Sequence, residues 1–147
     1  MALNTAAKMR DEGNWRLEAW SPMIASETEF DTFVSDMLDR ANNYLRFRVG
    51  TSWYTANSAT DPYDDILKEA EAYLCQAMIL EAAAGIAETG SDSNAAPFLG
   101  TGEEILKVAA RRRAVAEEII LATRAHGSQA RPLSEMAAGT RQTRGSR

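Results

Sequence analysis

The stretch from Asp61 to Gly90, DPYDDILKEAEAYLCQAMILEAAAGIAETG, constrains the fold more than any other part of this chain. Ile66, Leu67, Ala70, Tyr73, Leu74, Ala77, Leu80 and Ala84 recur at three- and four-residue steps, the spacing of one helix face. Between Ala72 and Ala87 only Gln76 and Glu81 are strongly polar. Cys75, Met78, Ile79, Ala82, Ala83 and Ile86 therefore form a second apolar surface beside the first. A helix that is apolar on two sides must be covered on two sides. Either the N-terminal segment folds over the second surface or a neighbouring subunit does. The latter makes Cys75, Met78, Ile79, Ala82 and Ile86 a candidate subunit interface.

The start and stop chemistry of this helix can be named. Asp61 suits an N-cap, Pro62 the first helical position, Asp64 and Asp65 the positive helix end, and Gly90 the stop. Two further helices flank it. One runs from about Glu27 to Val49, with Ser26 and Glu29 as a capping box, an apolar face of Phe30, Phe33, Val34, Met37, Leu38, Ala41, Tyr44 and Leu45, and Gly50 to end it. The other opens with the capping box Thr101 and Glu104 and continues through Ile105, Val108, Val115, Ile119 and Ala122 to Gly127. The connecting segments GTSWYTANSAT and GSDSNAAPFLG have the composition of loops. The expected fold is all-α, a three-helix bundle that extends to four helices if the N-terminal segment joins it.

Three regions follow: an N-terminal segment 1–25, partly helical or extended; a helical bundle 26–126; and an extended basic arm 127–147. A short helix through Thr5 to Glu12 fits the first region, and Gly13 and Asn14 interrupt it. Trp15 and Trp20 then read as N-terminal anchors, either on another molecule or on the chain's own core. Charge divides the chain at Gly127. Residues 1–126 carry 12 basic and 20 acidic groups, whereas residues 127–147 carry four arginines and Glu135.

The arm, GSQARPLSEMAAGTRQTRGSR, has only Leu133 and Met136 as sizeable apolar side chains. That is too few to offset the entropy of folding alone. It reads as an idle terminus, a nucleic-acid arm, or a peptide that orders on a protein partner. Spaced arginines without an aromatic among them weaken the second reading. Arg131, Pro132, Leu133, Met136, Arg141 and Arg144 are the candidate partner-binding residues, apolar pegs flanked by arginines suited to carboxylates. Arg111, Arg112 and Arg113 read as a solvated basic band paired with acids at helical spacing, or as a subunit- or DNA-facing patch.

Catalytic chemistry is not expected. The chain holds one histidine, His126, and one cysteine, Cys75, with nothing in the sequence to link them, and it has no glycine-rich phosphate loop. Adjacent carboxylates such as Asp64 and Asp65 point to different helix faces, so neither a metal nor another cofactor is expected. The net charge of −5 opposes general attraction to DNA or anionic membrane. The opening MALNTAAKMRDEGNW holds no apolar run of signal-peptide length, and the expectation is a chain that is cytoplasmic and soluble when made.

The amphipathic FDTFVSDMLDRANNYLRFRVG helix, the long apolar helix, a further helix of mixed charge and an extended tail together resemble the head-tail connector (adaptor) proteins of tailed bacteriophages. The likeness is one of organisation and spans about Phe30 to Arg147. It implies a homo-oligomeric, usually dodecameric ring in the virion neck, assembled in the host cytoplasm. Such a ring binds the portal protein on one side and a stopper or tail component on the other. DNA only passes through its channel, and no membrane is involved. The C-terminal arm would reach onto the portal. The alternative is a free helical-bundle binding module or an accessory subunit of a bacterial complex.

Overall fold

The computed structural model describes residues 2–13, 24–89 and 101–129, and the side chains among them except those of 86–89 and 126–129. Helices are the only regular elements among the described residues: α1 (Ala6–Gly13), α2 (Glu27–Val49), α3 (Thr51–Asn57), α4 (Tyr63–Thr89) and α5 (Gly102–Gln129). The caps explain the starts. Ser26 Oγ accepts from Glu29 N at 3.2 Å, and Glu29 Oε2 accepts in return from Ala25 N at 3.0 Å. Thr101 and Glu104 close the same kind of reciprocal box at the head of α5, at 3.3 and 3.1 Å. Gly50 ends α2 at φ +96°, a backbone state that disfavours any residue with a Cβ, and its N–H donates to Arg46 O.

α4 is the central element. It packs most extensively on α5 and next on α2, while α1 lies against both α2 and α4. One continuous core joins Met9 of α1, Phe30, Val34, Leu38 and Leu45 of α2, Leu67, Leu74, Cys75 and Ile79 of α4, and Ile105 and Ile120 of α5. The N-terminal helix is thus the fourth member of the bundle, and its Met9 is fully buried.

Four expectations change. The GTSWYTANSAT segment is not all loop, because α3 forms within it. Tyr54 is buried in the core and Trp53 meets the Tyr63 ring edge-on at 5.1 Å, so packing overrides turn-like composition. α4 begins at Tyr63, and Thr60 supplies the carbonyl ahead of it, accepting from Tyr63 N and Asp64 N; Asp61 and Pro62 lie in the preceding turn. α5 runs through Gly127 to Gln129.

The fourth change concerns the buried face of α5. It consists of Ile105, Ala109, Ala116, Ile120 and Thr123, while Val108 and Val115 are exposed. α4 presents Ala70, Ala77 and Ala84 on its buried surface, and small side chains on both helices allow close approach.

Candidate interaction surfaces and a buried carboxylate

The side of α4 towards the N-terminus is sealed around Glu71, which has no exposed surface. Its Oε1 accepts from Leu3 N at 2.9 Å and Asn42 Nδ2 at 2.8 Å. Its Oε2 accepts from Asn4 N and Asn4 Nδ2, both at 2.8 Å, and from Leu3 N at 3.0 Å. Asn4 Nδ2 also donates to Lys68 O, and Asn42 Nδ2 to Tyr54 OH at 2.6 Å. A buried carboxylate is tolerable when several N–H groups replace its water, and here they come from the segment leading into α1 and from Asn42 of α2. This cluster is a latch that holds the N-terminal segment to the bundle. Burial is the main cause that raises the Tyr54 phenol above its usual range. Burial, with Glu71 adding to it, pushes the Cys75 thiol up to about 12, so the thiol is neutral and poorly nucleophilic at physiological pH.

A second polar cluster ties α2, α4 and α5 together. Tyr44 OH donates to Glu117 Oε1, and Arg48 Nη2 pairs with Glu117 Oε2 at 2.5 Å. Burial opposes the charged form of Glu117, but the hydrogen bonds from Tyr44 and Arg48 outweigh it and hold the carboxyl below its usual range. The hydrogen bond to Glu117, with burial, raises the Tyr44 phenol. Arg113 grips Glu81 of α4 through Nε and Nη2 at 2.8 to 3.0 Å. The arginine run therefore splits. Arg113 is a cross-link, Arg112 lies over the Tyr73 ring at 5.5 Å, and Arg111 is exposed.

The outer surface is of a different kind. Leu106, Val108, Val115 and Leu121 of α5 are exposed, as is Phe47 of α2. Two grooves flank α4. A polar one of about 270 Å³ lies between α1 and α4 and includes Asn4, Lys8, Glu12, Gln76 and Arg112. An apolar one of about 520 Å³ is lined by Pro62, Tyr63, Ile66, Ile119, Ala122, Thr123 and Glu69. Glu71 lines neither groove, so these grooves give it no access to a substrate. Asp61, Asp64 and Asp65 bring carboxylate oxygens within 4.8 Å of one another at the head of α4, where the helix end itself favours acids.

The expected subunit interface does not hold as a unit. Cys75 and Ile79 are fully buried within the chain, and a side chain with no exposed surface offers nothing to a neighbour. Met78 and Ala82 are half-buried. Ile86 and His126, whose side chains are not described, lie outside the described residues in that sense. Trp15, Trp20, Arg131, Pro132, Leu133, Met136, Arg141 and Arg144 lie outside them altogether. Sequence reasoning missed Glu71 and Asn42. The available signal was position: Glu71 stands on one helical stripe with Leu67, Leu74 and Met78, and Asn42 on one with Leu38 and Leu45.

No protein-family model, curated protein or solved structure matches this chain. No described helix is long and apolar enough to cross a membrane.

Proposed function

We propose that this chain is a non-enzymatic structural subunit of the neck of a tailed bacteriophage. It would form an adaptor ring between the portal and a stopper or tail component, around a channel for DNA. The observation that carries the protein-binding part is the set of large apolar side chains left exposed on two helices, Phe47 on α2 and Leu106, Val108, Val115 and Leu121 on α5. Large exposed apolar side chains, Phe47 above all, suit contact with other proteins. The phage part rests on the likeness of organisation described above, with the basic arm 127–147 as the segment that engages the portal.

The test is a search of the genes around this one for a portal protein, then co-expression with it, co-purification and electron microscopy. The expected result is a ring seated on the portal and pierced by a channel, lost when residues 130–147 are removed. A chain that binds no virion protein encoded nearby overturns the phage reading and favours a free helical-bundle binding module.

A further inference from the structure

Phe47 projects from the last turn of α2 with 80% of its surface exposed, the largest value among the large apolar side chains described. The apolar groove lies elsewhere, where the start of α4 meets the last third of α5, and Pro62, Tyr63, Ile66, Ile119 and Ala122 line it. The two features are on different sides of the bundle. Arg113 and Glu117 are the residues of α5 that meet Tyr44 and Arg48 of α2. Val115 and Ile119 each stand two residues beyond these, about 200° around the helix, so the groove side of α5 faces away from α2.

They are also at similar heights. Tyr44 of α2 meets Arg113 of α5 and Arg48 meets Glu117, four residues further along both helices, so α2 and α5 run parallel. Glu81 of α4 meets Arg113 while Ile66 shares the groove with Ile119 and Ala122, so α4 runs opposite to α5. Phe47 lies between Tyr44 and Arg48, which both reach Glu117, and so stands within about two turns of Ile119 and Ala122. With Phe47 aligned on the groove at Ile119 and Ala122, stepping back equally along both helices aligns Asp39 and Asp36 with Arg111, next to Arg112. All four are exposed. Charge follows the same division. Five of the six exposed charges on α2 are acidic, and four of the five exposed charges between Lys107 and Arg124 are basic.

We propose that this chain binds a second copy of itself head to tail, with Phe47 of one copy entering the α4–α5 groove of the next while Asp36 and Asp39 meet Arg111 and Arg112. This deepens the ring reading and rests on it. A head-to-tail contact between parallel elements closes into a ring where the rotation from copy to copy closes, as the ring reading requires. The apolar peg supplies most of the affinity, and the charges supply register and choice of face.

Phe47→Asp removes the peg, and Ala122→Arg fills the groove. Both positions are exposed, so each variant should keep the helicity of the wild type, read by circular dichroism. Light scattering at rising concentration and low salt should give the wild type a mass above that of a monomer, and each variant alone the mass of a monomer. An equimolar mixture of the two variants should form a heterodimer and nothing larger, because each retains the half that the other has lost. Asp39→Arg should weaken association by at least about tenfold, and adding Arg111→Asp should restore it. Oligomers that persist in both single variants, or a mixture that yields no heterodimer, overturn this assignment of faces while leaving the ring reading intact. A wild type that is monomeric at every concentration overturns self-association through these faces and leaves portal binding, read separately by co-purification, untouched.

Discussion

The side of α4 that holds Glu71 and the outer side of α5 treat their side chains in opposite ways. Around Glu71 a charged group is buried and every bond to it comes from within the chain, from Leu3, Asn4 and Asn42. On α5, apolar groups stand in solvent. The first arrangement fixes a fold at the cost of desolvating a carboxylate. The second leaves apolar side chains that no described residue covers. A side chain's polarity alone therefore does not say whether it serves the fold or a partner. What it touches does.

Four experiments break or sharpen this contrast. The largest effect is expected from Ile79→Asp, which places a charge at a fully buried site with no paired group and should cost more than about 4 kcal/mol, read by denaturant unfolding. A folded Ile79→Asp protein that merely fails to assemble would make the inner face an interface after all. Next comes Glu71→Ala. It leaves the N–H groups of Leu3 and Asn4 and the Asn42 amide without an acceptor, and should cost about 3 kcal/mol. The same variant should expose Cys75 to alkylation under native conditions, whereas the wild-type thiol should react only on unfolding.

Smaller still is the effect of Glu117→Gln. Because the folded carboxyl lies below its usual range, Glu117 stabilises the protein above an unfolded value of about 4.3, and that contribution is lost as pH falls through the folded value. The variant should show a shallower loss of stability on acidification and a cost of about 1 kcal/mol or less at neutral pH, since the pair is partly exposed. An unchanged acid limb would remove Glu117 from the account. Val115→Asp should change stability least, within about 0.5 kcal/mol. Its neighbour Ala116→Asp, at a position with no exposed surface, should behave like Ile79→Asp. Equal effects at these two adjacent positions would erase the distinction between the inner and outer faces of α5.

The sequence carried the helices well and their facing less well. α2, α4 and α5 were legible because periodicity and caps agree, as at Ser26 with Glu29 and Thr101 with Glu104. The rotation of α5 was not legible, since a hydrophobicity pattern selects Val108 and Val115, whereas the folded chain buries the small side chains of Ala109 and Ala116. α3 was hidden for a related reason: only the packed positions of Trp53 and Tyr54 distinguish it from a turn. The Glu71 cluster draws on residues far apart in the chain, and no local pattern joins Leu3 to Glu71 or Asn42 to Tyr54. The apolar groove shares that origin, because its walls come from α4 and α5 and exist only once the two helices are paired.

The latch has a consequence for the order of events during synthesis. Leu3 and Asn4 find their acceptor on a residue 68 and 67 positions later in the chain. Contacts of such long sequence separation close late, after the local helices and the α4–α5 hairpin have gained their own stabilisation. α1 cannot lock until α4 has been made, so until then Met9 and the core surface it covers stay open to chaperones and to neighbouring nascent chains.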